Sequence, residues 1–184
     1  LPDFMVRTLK PQLGETFGDF TSGTGGFLTS ALNYLNEQVK TTEDFEHFQN
    51  SVVGQEWKPL PYLLSITNLL VHDIEAPNIR HCDSLGTKMI DFKESDKVDV
   101  IAMNPPYGGS TEASVKGNFP MDMRSSETAD LFMVLIMYRL KRNGRAAVIV
   151  PDGFLFGVDG AKLAIKTKML REFKPDSFED LILL

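Results

Sequence analysis

The stretch TFGDFTSGTGGFLTSALNYL, residues 16–35, decides the fold because it joins a short strand to an amphipathic helix through a glycine-rich turn. Gly23, Gly25 and Gly26 let the backbone adopt positive φ and pass close to a ligand, and the N-terminus of the following helix favours negative charge. No Gly-Lys-Ser/Thr follows, so the turn is not a phosphate-binding P-loop, and its glycine spacing differs from GxGxxG. The pattern predicts a strand–turn–helix unit that holds a ligand, with an unliganded tight turn as the alternative.

Strands and helices alternate along the rest of the chain. Further strands are predicted at 51–57, 78–83, 98–103 and 146–151, and further helices at 2–10, 40–50, 59–72, 128–142 and 161–173. The helix at 59–72 is expected to bury Leu63, Leu64, Ile66, Leu69 and Leu70. Residues 108–126 have no periodicity and predict a long loop. The alternation predicts an α/β fold, with helices on both faces of a mostly parallel sheet.

Composition indicates one globular domain of 184 residues, with 42% hydrophobic content and a net charge of -6. The single cysteine, Cys82, cannot form an internal disulfide, and no basic N-terminal region precedes an apolar stretch, so we expect a reducing cytoplasm. Apolar runs fall short of the roughly 20 residues that cross a bilayer, so no membrane association is expected. The negative charge argues against the chain alone gripping a long nucleic acid, so such a substrate would require a partner.

The histidine and lysine residues give little indication of a functional site. The three histidines, His47, His72 and His81, lie on separate predicted elements without cysteine or carboxylate at metal-binding spacing, so no metal site is expected. The last helix carries Lys162, Lys166 and Lys168. These lysines predict a solvated helix face, with a phosphate contact as the alternative.

Acidic residues end three successive predicted strands: Asp19, Glu56 and Asp83. The carboxyl edge of an open α/β sheet is where ligands bind, and a carboxylate at the end of the second strand is suited to accept ribose hydroxyls. Each acid could instead cap a helix or lie in a solvated turn. Their recurrence beside the glycine turn favours a nucleoside-type ligand.

The segment NPPY, residues 104–107, directly follows the apolar strand at 98–103. Pro105 and Pro106 stiffen the segment and offer no backbone N–H, so it presents acceptors: the Asn104 side-chain oxygen and the Pro105 carbonyl. Two acceptors that hold the hydrogens of a conjugated amino group localise the nitrogen lone pair and favour attack on an electrophile. Tyr107 would stack on a base swung out of a duplex. A plain strand-ending turn with a surface tyrosine is the alternative.

Together, DFTSGTGGFL and NPPY resemble the N6-adenine DNA methyltransferases. The stretches GETFGDFTSGTGGFLTSAL, VVGQEWKP, CDSLG, VDVIAMNPPYGG and SETADLFMVLIMYRLKRNGRAAVIVPDGFLFG are similar to the modification (M) subunit of type I restriction-modification systems. The resemblance covers about residues 5–173. It implies a Rossmann-like S-adenosylmethionine-dependent methyltransferase fold, present as a partial catalytic domain over 1–184. The N-terminal helical domain and the C-terminal strands of the family are expected to be missing.

The resemblance also implies roles for individual residues. S-adenosyl-L-methionine is expected over the glycine turn, on Asp19, Thr21, Gly23, Gly25, Gly26, Phe27, Glu56 and Asp83. Within this set Asp19 lies near the methionine amino group, Glu56 on the ribose hydroxyls and Asp83 near the cofactor adenine. The catalytic segment is Asn104, Pro105, Pro106 and Tyr107, which would hold the target adenine.

The implied activity is methylation of adenine N6 in DNA, with the specificity (S) and restriction (R) subunits of a type I complex as partners. Phe20 and Ser22 depart from the family, which usually has proline and cysteine there, and the bulky Phe20 is expected beside the cofactor. Two alternatives remain open at this point. One is N5-methylation of a protein glutamine, whose amide nitrogen poses the same lone-pair problem. The other is a degenerate subunit kept as a scaffold.

Overall fold

The computed structural model describes residues 1–108, 112–158, 160–174, 176–178 and 181–183. Its strands are β1 Phe17–Asp19, β2 Val52–Glu56, β3 Ile79–His81, β4 Val98–Met103, β5 Leu140–Ile149, β6 Asp176–Phe178 and β7 Leu181–Leu183. They form one sheet in the order β3-β2-β1-β4-β5-β7-β6. Strands β1 to β5 pair in parallel, and β7 pairs antiparallel with both β5 and β6. The predicted α/β fold with a mostly parallel sheet is confirmed.

Helices cover both faces of this sheet. They are α1 Pro2–Leu9, α2 Gly26–Asn36, α3 Thr42–Gln49, α4 Pro59–Val71, α5 Ala113–Lys116, α6 Thr128–Arg139, α7 Asp152–Phe156 and α8 Gly160–Glu172. Val100 and Ala102 of β4 pack with residues of α1 and α2, whereas Ile101 and Met103 pack with α6. Because successive strand residues face opposite sides, this burial on both faces explains why β4 is almost continuously apolar. None of the described helices is both long and apolar enough to cross a membrane.

Helix α4 buries much less than its sequence predicts. Leu69 is fully buried, but Leu63, Leu64 and Leu70 have exposed fractions of 59%, 44% and 51%. The helix lies over β2 and β3 at the end of the sheet and also contacts α2. A helix at the margin of a sheet has neighbours along a narrow stripe, so the apolar residues outside that stripe remain in contact with solvent. The prediction that all these leucines are buried is therefore wrong.

Five elements in the second half of the chain were not expected. The predicted loop at 108–126 contains α5 and a short 3-10 turn, Met121–Met123, and α7 follows β5 directly. Strands β6 and β7 follow α8 and extend the sheet beyond β5, although the resemblance led us to expect no later strands. The sequence signal of β6 and β7 is weak because each has only three residues, too few for an alternating pattern.

The different burial along α4 can be tested with the same substitution at two positions. Leu69→Ala should lower the free energy of unfolding by about 2–5 kcal/mol, because it opens a cavity between α4 and the sheet. Leu63→Ala should change it by less than about 0.5 kcal/mol, because that side chain is largely in solvent. Urea unfolding followed by circular dichroism measures both values. Equal losses at the two positions would contradict the exposed face of α4.

Candidate functional site at the carboxyl edge of the sheet

The glycine turn lies between the end of β1 and the start of α2, as the sequence predicts. Gly25 has a φ of 89°, and a Cβ there would lie 2.9 Å from the Ser65 hydroxyl of α4. A side chain would therefore be strained by the backbone conformation and would also collide with the neighbouring helix. Gly23, with a φ of 53°, donates its N–H to Oε2 of Glu56 at 2.8 Å. Gly26 begins α2, and Phe27 is buried beneath the turn.

Asp19 is the buried acid of this edge, with an exposed fraction of 1%. Its Oδ1 accepts hydrogen bonds from the backbone N–H of Thr21 at 3.0 Å and from the Thr21 hydroxyl at 3.4 Å. Burial raises the pKa of Asp19 to about 7, the bonds from Thr21 lower it, and the nearby charge of Glu56 raises it. Asp19 is therefore a carboxyl group that gains from a positively charged partner.

Glu56 is the last residue of β2, and its carboxylate accepts hydrogen bonds from two separate turns. One carboxylate oxygen accepts from Gly23 at 2.8 Å, and the other accepts from the Lys58 N–H at 2.7 Å. The acid predicted to close the second strand therefore contacts the glycine turn directly. Asp83 follows β3, and its Oδ1 accepts from the Leu85 N–H at 2.9 Å.

An open cleft connects the ends of β2 and β3. Its lining residues are Trp57, Lys58, Pro59, His81, Cys82 and Asp83. Trp57 follows Glu56 and keeps 69% of its surface exposed, so a flat apolar ring stands beside the strand-end acids. Sequence reasoning missed Trp57, although an aromatic residue next to a strand-end acid was a usable signal. Cys82 in this lining is half-buried.

The NPPY segment leaves the carboxyl end of β4, the neighbour of β1, and so lies on the same sheet edge as the glycine turn. Pro105 is buried and anchors the segment, whereas Asn104, Pro106 and Tyr107 are exposed. The Tyr107 hydroxyl donates to Oδ1 of Asn104 at 2.9 Å. One of the two acceptors expected to bind an amino group therefore carries an internal donor, which an incoming ligand would replace.

A second cleft opens beside Tyr107, with a volume of about 360 Å³. It lies between the start of α6 and the turn after β5, and its other lining residues are Gly108, Ser126, Glu127, Thr128, Ala129, Pro151 and Gly153. Stiff acceptors, an exposed aromatic ring and a cleft of this size can accommodate a planar heterocycle that carries an amino group. Within the described residues no group of His, Cys, Asp and Glu side chains is arranged to hold a metal ion.

Phe20 is a buried core residue. Its side chain is 1% exposed and packs in the core against α6, with the Arg139 guanidinium 3.9 Å from its ring centroid. Because Asp19 and Phe20 are consecutive, their side chains point to opposite sides of the backbone. The Phe20 side chain is thus turned into the core and not exposed at the sheet edge, and its effect on cofactor binding stays a prediction. Ser22 is also buried, with an exposed fraction of 5%.

Lys162 does not lie on a solvated helix face either. Its Nζ is 2.7 Å from Oδ2 of Asp130 and 2.8 Å from Oε1 of Glu127, and its side chain is 3% exposed. Burial alone would lower the pKa of Lys162, but the hydrogen bonds to Asp130 and Glu127 outweigh it and raise the pKa to about 12. Ser125 donates to the same Asp130 oxygen at 2.5 Å. This ionic cluster fastens α8 to the start of α6, which forms one wall of the cleft beside Tyr107.

Fold and site together define an α/β methyltransferase domain. The chain belongs to the N-6 DNA Methylase family, whose model matches residues 1–175. The methylase subunit of the type I restriction enzyme EcoEI of Escherichia coli is 48% identical over 171 residues, which are 92% of this chain and 34% of that protein.

Solved structures agree with this assignment. A modification subunit from Vibrio vulnificus has a TM-score of 0.88 at 48% identity, over 92% of this chain and 36% of that one. The EcoKI M protein of Escherichia coli has a TM-score of 0.80 at 28% identity, over 91% of this chain and 36% of that one. The chain therefore spans about a third of the length of these relatives.

The buried ionic cluster gives a stability prediction. Lys162→Met should lower the free energy of unfolding by about 3–5 kcal/mol, because Asp130 would remain buried without a counter-charge. The double variant Lys162→Met/Asp130→Leu should recover much of that loss, because no buried charge then remains. Lys168→Met serves as the control, since Lys168 pairs on the surface with Glu172 at 2.6 Å. Denaturant unfolding measures these free energies. An equal loss in Lys168→Met and Lys162→Met would contradict the role of burial.

Proposed function

We propose that this chain carries the methyl-transfer centre of a type I modification subunit and methylates the N6 amino group of adenine in DNA. The observation that carries the proposal is the position of the NPPY segment, which leaves β4 next to the glycine turn that follows β1. One sheet edge thus offers both a place for a methyl donor and a rigid pair of acceptors for an amino group. The family and its type I relatives favour DNA over a protein glutamine as substrate.

The residues at this edge fit S-adenosyl-L-methionine, which supplies a methyl group on a positively charged sulfur. Asp19, a buried carboxyl group without a cationic partner in the described part of the chain, suits the methionine ammonium. The glycine turn, Thr21 and Phe27 would form the floor beneath the cofactor. Glu56 would accept the ribose hydroxyls. Asp83 would contact the adenine, and Trp57 would cover its ring.

The chain's own part in the reaction is to hold the target base. Asn104 Oδ1 and the Pro105 carbonyl would accept the two amino hydrogens, which keeps the nitrogen lone pair out of the ring system. The base amino group would take the place of the Tyr107 hydroxyl on Asn104. Tyr107 would stack on the base, a contact worth about 1–3 kcal/mol. The stiff Pro105–Pro106 backbone keeps these acceptors in position and so lowers the cost of orienting the base.

DNA binding would depend on partners. A chain with a net charge of -6 offers little phosphate neutralisation, so the specificity subunit would supply most of the DNA affinity and the target sequence. The restriction subunit would join the same complex, which would act in the cytoplasm. One reason for the scaffold hypothesis was the bulk of Phe20 beside the cofactor. The burial of Phe20 in the core weakens that reason.

Methyl transfer tests the proposal directly. The protein combined with its specificity subunit should transfer labelled methyl groups to adenine N6 in DNA that contains the target site. Asn104→Ala should lower the rate about 10²–10³-fold, because one acceptor for the amino group is lost. Asn33→Ala, at an exposed position on α2, is the control and should leave the rate unchanged. Full activity in Asn104→Ala, or transfer to protein glutamine instead of DNA, would contradict the proposal.

Cofactor affinity should depend on pH through Asp19. The folded-state pKa of about 7 lies above the ordinary value of 3.8, so the free protein loses stability as the pH rises through that interval. Ionised Asp19 would pair with the cofactor ammonium, so affinity should rise roughly tenfold per pH unit below about 7 and level off above it. Calorimetric titration with S-adenosylmethionine from pH 5 to 8 measures this dependence.

The matched variants separate binding from folding. Asp19→Asn should weaken cofactor binding strongly, remove its pH dependence and stabilise the free protein at pH 8. Asp91→Asn, at an exposed position, should behave like the unsubstituted protein. An affinity that does not change with pH would show that Asp19 does not carry the cofactor charge.

A further inference from the structure

A polar cavity of about 340 Å³ lies against the sheet face that packs on α6. Thr16, Asn50 and Asn78, which precede β1, β2 and β3, place it at the amino ends of these strands. Its charged lining residues are Arg80, Arg139, Lys97, Lys141, Glu94 and Asp96. Its lining shares no residue with the clefts at Trp57 and Tyr107, although Phe20 and Gln55 directly adjoin Asp19 and Glu56 in sequence.

Arg139, at the end of α6, is the central residue of this cavity. It is only 6% exposed, and its guanidinium lies over the rings of Phe20 at 3.9 Å and Phe92 at 4.9 Å from the centroids. Its Nε donates to the Asp96 carbonyl at 2.7 Å, but its terminal amino groups bond to no carboxylate among the described residues. Burial lowers the pKa of Arg139 to about 10, so it remains charged at neutral pH. A buried charge without a counter-ion is costly.

The surrounding charges offset the burial of Arg139 only in part: the negative charge of Asp96 raises its pKa, and the positive charge of Arg80 lowers it. Lys97 is paired with Glu94 at 2.7 Å, and Lys141 is paired with Asp99 at 2.7 Å. The Asp96 carboxylate is engaged by the Lys93 N–H at 2.9 Å. Two arginines, Arg80 and Arg139, thus line the cavity without an ion pair in the described part of the chain.

Gln55 adds a second unsatisfied group. Its side chain is 8% exposed in the cavity lining, and its Oε1 has no hydrogen-bond partner. This free atom is an acceptor with almost no accessible surface, so it does not take part in binding an oxyanion. Of the two, only Arg139 borders this space with hydrogen-bond donors that no carboxylate among the described residues engages.

We propose that this cavity binds a small oxyanion, a carboxylate or phosphate group on a small molecule, with Arg139 and Arg80 as its ligands. The planar fork of a guanidinium matches the two oxygens of such a group, and the rings of Phe20 and Phe92 fix the plane of Arg139. The volume of the cavity is that of a small-molecule site. This site does not depend on the proposed methyl transfer.

Titration with inorganic phosphate and with citrate, at constant ionic strength, tests the proposal. At least one of the two should bind saturably, as measured by calorimetry and by a rise in unfolding temperature. Arg80→Gln should weaken binding at least tenfold, and Arg139→Lys should do so as well, because lysine keeps the charge but loses the fork. Arg7→Gln, which removes the same charge from an exposed position on α1, should leave binding unchanged. Arg80 is exposed, so its variant should fold even if Arg139→Lys does not.

Two results would overturn the proposal. One is the absence of saturable binding of either anion up to concentrations on the order of 10 mM. The other is an equal loss of binding in Arg7→Gln, which would indicate a general charge effect. Asp19→Asn separates this site from the proposed cofactor site, since it should leave phosphate and citrate binding intact. If it abolished that binding, the anion would belong to the carboxyl edge, and the oxyanion cavity would be refuted.

Discussion

The hydrogen bond from the Gly23 N–H to the Glu56 carboxylate, 2.8 Å long, is the contact on which the carboxyl edge depends. It joins the turn after β1 to the end of β2, so two loops far apart in sequence hold one geometry. Gly25 completes the constraint, because its positive φ and its proximity to Ser65 admit no side chain. The backbone of the turn is thereby fixed close to the strand-end acids, and a ligand at this edge meets a preformed surface.

The burial of Asp19 at this edge lowers the stability of the free protein. Burial at the end of the central strand β1 raises its pKa to about 7, so the ionised form destabilises the free protein. Buried groups with such shifted pKa values are common at sites that bind a ligand of opposite charge. Arg139, on the other side of the sheet, is the corresponding case for a positive charge, because its buried guanidinium has no carboxylate partner in the described residues. Both side chains are buried ionisable groups without an ion pair among the described residues.

Much of the fold could be predicted from the sequence because the strands of a parallel sheet are short apolar runs between helices. The NPPY segment after β4 and the glycine turn after β1 were located from these patterns alone. Periodicity identifies the apolar face of a helix but not what covers it, and for this reason the leucines of α4 were misplaced. The burial of Lys162 against Asp130 was equally hidden, because the two residues lie 32 positions apart on helices whose packing only the structure reveals.

The direction in which an individual side chain points was also not predictable from the sequence. Phe20 stands next to the glycine turn in sequence, yet it points into the core, because the alternation of strand side chains continues past Asp19. Trp57 shows the reverse case, since an exposed ring at the ligand edge was overlooked as an ordinary strand-end residue.

Amide hydrogen exchange with and without S-adenosylmethionine tests the central claim, that the carboxyl edge is a preformed cofactor site. Slower exchange is expected only at residues 19–27, the end of β2 and the loop after β3, with no change at Thr16, Asn50 and Asn78, which precede β1, β2 and β3 beside the Arg139 cavity. Unchanged exchange at the glycine turn with saturating cofactor, or protection confined to another part of the molecule, would contradict it.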